Sequence, residues 1–548
     1  MEGFGMDIKK LISEMTLEEK IGQLCVPILQ KGEITEDLKT WVIEKHVGMI
    51  RYCPNAEFDN ASEVVGEPNR YFSPGEMAEF LNEIQSMAKI PLFIAVDQEG
   101  STRNDVNRAG ALAYSGHMSF GAANDEELTY KIAKAAGEEF RAMGINLVQA
   151  PIIDVLRYEG RQTMKAATFG ESVERVTAHA LAMMKGYQDG GCASMAKHFP
   201  GYGSVATDAH KGVAEIFKDF DALDSEDIAP LKTLFANGVN GVMTGHVLTH
   251  CIDSEHPATL SAKMIKGYLR EKLGFDGIVE TDAMRMHAIQ DKYGTGPASV
   301  MAIQAGCDLV LLRGSMEHFE EGYNALLNAA KNGELNMEDV DESLRRVLEQ
   351  KEKIGLLDNP MSDPDKANAI VGCDEHKALA NELAEKSITA FKSKNLPLAV
   401  DGKKVACISV EPQKIGAAMD AVQSIDMLIN AVSATYENTE GLMTKLNTTQ
   451  EDIKAAAELA KGADVVILGL CNAIIYSNQE DLAKAVYEAN NNVIVVAMDS
   501  PYDVELVPYI DNFVATYGVA AASMYAAVDV IAGRKEGKAK CPVTIHKL

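Results

Sequence analysis

Missing from this chain of 548 residues are paired cysteines, a surplus of positive charge and long apolar runs. Its nine cysteines (Cys25, Cys53, Cys192, Cys251, Cys307, Cys373, Cys407, Cys471 and Cys541) are scattered, with no CxxC pair. That spacing supports neither a disulfide framework nor cysteine-held metal, and an odd, unclustered set suits reduced thiols. Lysine and arginine number 52 against 80 acidic residues, a formal charge of −28. Such a balance disfavours a nucleic-acid partner, although a local basic pocket can still hold one phosphate. No run approaches the ~18 apolar residues that span a bilayer. The opening MEGFGMDIKKLISEMTLEEK has no basic stretch leading into an apolar one, so no secretory signal and a cytoplasmic location are expected. There is no GxGxxG after a strand, no GxxxxGK[ST], no HExxH and no paired Cys/His spacing, so neither cofactor nor metal is expected.

What is present is a globular composition, with 47% hydrophobic and 24% charged residues. The length calls for two or three domains. Over the first 360 residues short apolar runs alternate with amphipathic stretches, the rhythm of a parallel β/α sheet. Strands are predicted at 91–96, 146–153, 193–196, 241–244, 277–279 and 308–312. A polar residue follows each: Asp97, Asp154, Lys197 with His198, His246, Asp282 and Arg313. Reactive groups recurring at the ends of several strands favour a (β/α)8 barrel over an open doubly wound sheet. Thr16-Leu17-Glu18-Glu19 predicts a capping box opening a helix. The polar, proline-containing text after about 351 predicts a linker. The expected division is a barrel at 1–360, a linker at 361–385 and a smaller α/β sandwich domain at 386–548. In the last of these, strands are predicted at 404–410, 464–470 and 492–497, helices at 449–461 and 480–489, and a final strand in the closing KCPVTI.

Two blocks carry chemistry. In AKHFPGYGSVATDAH (196–210) an apolar run delivers Lys197 and His198, then a Pro-Gly-x-Gly turn, then Asp208 and His210. Loops at strand tips are where a rigid scaffold displays catalytic groups. In GFDGIVETDAM (274–284) a β-branched run sets Asp282 just past a strand end, with Glu280 two residues back on the same side. A carboxylate there can serve as nucleophile, base or metal ligand, or cap the next helix.

Together KHFPGYG…DAH, HPATLS…LREKLGFDGIVETDAMRM and PLFIAVDQEG resemble glycoside hydrolase family 3, most closely its β-N-acetylglucosaminidase branch. MTLEEKIGQL resembles the family's opening helix, and PYDVELVPYIDNFVATYG with PVTI its accessory domain. The resemblance implies retaining hydrolysis of a small oligosaccharide or glycoside through a covalent glycosyl-enzyme, releasing a terminal N-acetylhexosamine. It implies Asp282 as the nucleophile and His210 as acid/base, oriented by Asp208. Imidazole, with its ordinary pKa near 6.5, can donate and accept a proton near neutrality. The resemblance further implies that Asp97, Lys197 and His198 bind sugar hydroxyls, with Glu99 and His246 as supports.

The chain departs from that branch where arginines stand. Ser101-Thr102-Arg103-Asn104-Asp105 follows DQEG, and Ala166-Ala167-Thr168-Phe169-Gly170 replaces an arginine-bearing string. Arg103, Arg157 and Arg161 are candidate replacements, with Arg161 and Arg103 expected to bind substrate. These departures, and Tyr202 within GYG, bear on which sugar is taken. A β-glucosidase-type specificity, with Glu480 as its candidate acid/base, is one alternative. A glycoside phosphorylase sharing the intermediate and a non-catalytic sugar-binding protein are the others.

Overall fold

The computed structural model describes residues 7–53, 72–100, 110–209, 212–399, 402–412 and 426–546, and the backbone of 57–58, 64–65 and 103–104. The Thr16 capping box forms as predicted: the Thr16 hydroxyl accepts from Glu19 N, and the Glu19 carboxylate from Thr16 N. It opens the helix Leu17–Gln23, which leads directly into the first strand.

Eight strands form one parallel sheet: β1 (Cys25–Leu29), β2 (Met49–Tyr52), β3 (Phe93–Val96), β4 (Leu147–Val148), β5 (Ala193–Phe199), β6 (Gly241–Thr244), β7 (Ile278–Thr281) and β8 (Val310–Leu312). Their spatial order is β7-β6-β5-β4-β3-β2-β1-β8. A parallel bridge between Glu280 and Leu309 and a hydrogen bond from Thr281 N to Leu309 O (3.0 Å) close β7 onto β8. The result is the expected (β/α)8 barrel, whose strands, covered by helices outside, are apolar and buried. At its amino-terminal rim Asp308 accepts from Val279 N (2.8 Å) and Arg270 (2.6 Å), pinning the last two strands together.

Six of the eight barrel strands fall where the apolar runs lie. The two missed, β1 and β2, are interrupted by Pro27 and Arg51 and so do not read as apolar runs. β4 is shorter than predicted, ending at Val148, and pairing with β5 resumes at Ile152, which bridges to Lys197. β5 is longer: Ile153 N donates to Lys197 O (2.6 Å), and Lys197 N to Pro151 O (3.0 Å). Lys197 and His198 therefore lie inside the strand rather than past it. The β5–β6 register shifts beside them, between Met243 and Thr244.

A second sheet contains β9 (Thr389–Ser393), β10 (Val405–Val410), β11 (Thr439–Thr444), β12 (Val465–Leu470), β13 (Val493–Ala497) and β14 (Asn512–Ala515). Its order is β9-β14-β13-β12-β10-β11, parallel except for β9. The direction of travel reverses after β11, so right-handed crossovers put helices on both faces. Helices Met427–Thr435 and Ala521–Ile531 pack as one pair, Gln450–Lys461 and Asn478–Ala489 as the other. The stretch 361–385, read from sequence as a linker, instead carries the helix Pro364–Ile370 and most of Asp374–Ser387. Asp363 caps the first of these, and Pro364 suits a first helical turn.

The closing KCPVTI is not a strand, contrary to expectation. It lies against the barrel, where Thr544 N and Oγ1 donate to the Glu171 carboxylate (2.9 and 2.6 Å) and Glu171 N donates to Pro542 O (3.2 Å). The two units also meet through Gly116 N to Tyr517 O (2.9 Å) and Gln162 Nε2 to Ile474 O (2.9 Å).

Candidate functional site

Asp97 follows β3 and is buried. Its Oδ1 accepts from Lys197 Nζ at 2.6 Å, and its Oδ2 pairs with the Arg51 guanidinium. Lys197 Nζ also donates to Glu99 Oε1 at 2.6 Å. Two cations on β2 and β5 and two carboxylates just past β3 thus form one largely buried cluster at the carboxyl end of the barrel. Beneath Glu99, buried His117 sets Nδ1 3.0 Å from its carbonyl oxygen, and burial pushes that imidazole down to about 4. Arg51 is absent from the sequence-derived candidates. Its signal is a lone arginine inside the apolar tetrad Met49–Tyr52, a buried position that demands a counter-charge.

His198 follows Lys197 and donates from Nδ1 to Asp154 Oδ2 at 2.9 Å. Burial alone would lower its pKa, but the Asp154 charge and hydrogen bond outweigh burial and raise it. Asp154 is fully buried and also accepts from Tyr202 N at 2.6 Å, so one carboxylate holds both the imidazole and the turn after β5. Tyr202 O–H in turn receives Ala209 N, adjacent to Asp208. Burial first, then the charges of Asp208, Asp282 and Asp154, push the Tyr202 phenol well above its ordinary value. Three carboxylates from three loops therefore lie within electrostatic reach of one ring. His210 lies outside the described residues, as does the side chain of Arg103.

Asp282 follows β7. Its Oδ1 accepts from Ala283 N at 2.6 Å, and its own N–H donates to Thr244 O at 3.2 Å. His246, after β6, sets Nε2 3.0 Å from Ala283 O and Nδ1 2.8 Å from Thr259 Oγ1. It braces the backbone immediately after Asp282. Below the rim, Glu280 is fully buried, with both carboxyl oxygens receiving Gln149 Nε2 (3.0 and 2.9 Å).

Arg161 and Arg157 lie on a segment that touches the loop after β5, where Arg157 N donates to Gly203 O at 2.8 Å. Arg161 stacks over the Tyr158 ring at 3.7 Å and donates to Tyr158 O at 2.7 Å, while Tyr158 O–H reaches Glu505 of the second unit at 2.8 Å. Arg157 donates to Glu171 O (2.8 Å) and Glu226 (2.9 Å). Glu480 is exposed in the first turn of Asn478–Ala489. Among the described residues no group of His, Cys, Asp and Glu could hold a metal ion, and no helix is long and apolar enough to cross a membrane.

A parallel barrel with carboxylates, a lysine and histidines gathered at the carboxyl ends of its strands defines a barrel enzyme that works at that face. The chain belongs to glycosyl hydrolase family 3: the family's N terminal domain matches residues 16–350 and its C-terminal domain residues 390–548. Beta-hexosaminidase A of Pseudoalteromonas piscicida is 26% identical, over 91% of this chain and 89% of its own length. A beta-N-acetylglucosaminidase/beta-glucosidase of Cellulomonas fimi is 24% identical, over 98% of this chain and 95% of its own. The structure of a glycoside hydrolase family 3 beta-N-acetylglucosaminidase from Paenibacillus sp. str. FPU-7 is 29% identical with a TM-score of 0.87, covering 97% of this chain and 100% of that one.

Proposed function

We propose that the protein is a retaining exo-β-glycosidase that releases a terminal N-acetylhexosamine of the GlcNAc type from a small oligosaccharide or glycoside. Asp282 attacks the anomeric carbon while His210, oriented by Asp208, gives its proton to the departing glycosidic oxygen. His210 then takes a proton from water, which attacks the same carbon and frees Asp282. Retaining chemistry needs these two groups about 5–5.5 Å apart. Asp97, Lys197 and His198 hold the sugar hydroxyls through charge-assisted hydrogen bonds, with Arg161 and Arg103 contributing further contacts. The observation that supports this reading best is the gathering of Asp97, Lys197, His198, Asp208 and Asp282 at one end of the barrel, in a chain similar to beta-hexosaminidases. Residues 1–360 and 386–548, joined by 361–385, are the proposed domain division. A cytoplasmic location, with neither nucleic acid nor membrane as partner, fits the net charge and the nine scattered cysteines.

The test is a panel of p-nitrophenyl β-glycosides (GlcNAc, GalNAc, glucose, galactose, xylose), run with and without phosphate. The GlcNAc glycoside is expected to turn over fastest, with free sugar as product. Glucoside preference overturns the N-acetyl specificity, and the double name of the Cellulomonas fimi relative makes that arm informative. Sugar 1-phosphate as main product replaces hydrolysis with phosphorolysis. Asp282→Asn is expected to form no trapped glycosyl-enzyme, and His210→Ala to lose about 10²–10⁴-fold in rate. Full turnover by Asp282→Asn rejects the assigned nucleophile.

A further inference from the structure

Glu280 and Gln149 are buried polar residues of the barrel that the proposed chemistry leaves unused. Gln149 follows β4, and its N–H donates to Val96 O at 2.8 Å, the residue immediately before Asp97. Its side chain crosses the barrel to Glu280 on β7, two residues before Asp282, and donates to both carboxyl oxygens. Both residues are buried. A continuous path therefore runs from Asp97 through Val96, Gln149, Glu280 and Thr281 to Asp282. An apolar pair would fill this layer at lower desolvation cost, so the polar pairing calls for a reason.

We propose that Gln149 and Glu280 form a cross-barrel strut that sets the position of the Asp282 carboxylate relative to Asp97, making Glu280 a positioning residue for glycosyl transfer. This deepens the functional reading above and rests on it. Burial pushes the Glu280 carboxyl up to about 8; the Gln149 hydrogen bond and the Arg51 charge oppose this, and the Asp97 and Asp282 charges add to it. Burial therefore favours the neutral carboxyl. Gln149 Oε1, which has no partner among the described residues, becomes its acceptor after a half-turn of the amide. Ionisation of Glu280 would place a second anion beside Asp282.

The experiment compares wild type, Glu280→Gln, Glu280→Leu, Gln149→Leu and the double leucine variant, each first shown to be folded by its melting transition. A displacement of about 1 Å at reacting groups can cost 100-fold, so Glu280→Leu is expected to lose about that factor in kcat/KM. The double variant is expected to be no worse, because both changes break one strut. Glu280→Gln keeps one hydrogen bond to Gln149; it is expected to stay within about threefold of wild type below pH 7 and to lose the inflection near 8. Crystal structures supply a readout independent of turnover: the Asp97–Asp282 carboxyl separation is unchanged in Glu280→Gln and shifted in Glu280→Leu. An unchanged separation in folded Glu280→Leu, or additive losses in the double variant, overturns the strut. Absence of glycosidase activity in wild type overturns the functional reading instead, and the crystallographic comparison still decides the strut.

Discussion

At the residue scale, the Asp97 cluster shows how charge is accommodated inside a barrel. Asp97 is tolerated in its buried position because Lys197 and Arg51 approach it from two other strands. Removing one partner of a buried ion pair costs about 3–5 kcal/mol, since the other charge stays desolvated. Arg51→Met is therefore expected to lower the unfolding free energy by roughly that amount in urea denaturation, and to weaken sugar binding with it. A change below about 1 kcal/mol would mean that the cluster behaves as exposed pairs do. Asp154 follows the same logic with histidine: its carboxylate holds His198 and the Tyr202 amide, so the loop after β5 starts from a fixed point.

At the element scale, strand ends and helix caps decide where those residues stand. The β5 strand reaches Phe199 because the chain after β4 pairs with Lys197, and the register shift against β6 falls beside the Lys-His pair. Irregularities of this kind re-aim side chains next to sites. At the other end of the barrel, the Thr16 capping box orients the helix that feeds β1. Thr16→Ala removes the hydroxyl acceptor for Glu19 N and is expected to cost about 1 kcal/mol. The loss should appear as a lower melting temperature with unchanged kcat/KM, because the cap lies on the face opposite the site.

At the scale of the whole molecule, the stretch that joins the two units is clamped to the barrel by specific polar contacts. His376, in helix Asp374–Ser387, sets Nδ1 2.7 Å from the fully buried Glu139 carboxylate of the barrel. The hydrogen bond to Glu139 is the main cause that raises the His376 pKa above its ordinary 6.5. A histidine raised on folding contributes stability that is complete below about 6.5 and disappears as pH climbs through the folded-state value. The melting temperature of wild type is thus expected to exceed that of His376→Gln most at pH 6. The gap should shrink as pH rises toward 9, and a gap that widens with pH would contradict the assignment.

The repeated pattern of apolar run and polar end was enough to read the barrel, the second α/β unit and Asp97, Lys197, His198 and Asp282 as candidates, because strand burial and strand termination are local properties of the chain; Asp208 and His210 were read from the loop after the Lys-His pair and from the family resemblance. β1 and β2 escaped that reading because Pro27 and Arg51 break their apolar runs, and Arg51 makes sense only beside Asp97, 46 residues away. The fate of the closing KCPVTI and the burial of Asp154 and Glu280 depended on partners distant in sequence. Arg161 was legible as a cation, but its seat over Tyr158 depends on Glu505 of the second unit. The sequence by itself determined which chemistry-bearing side chains sit at strand ends. Only the tertiary structure decided which of them share a charge, because pairing requires strands far apart in the chain to become neighbours around a closed barrel.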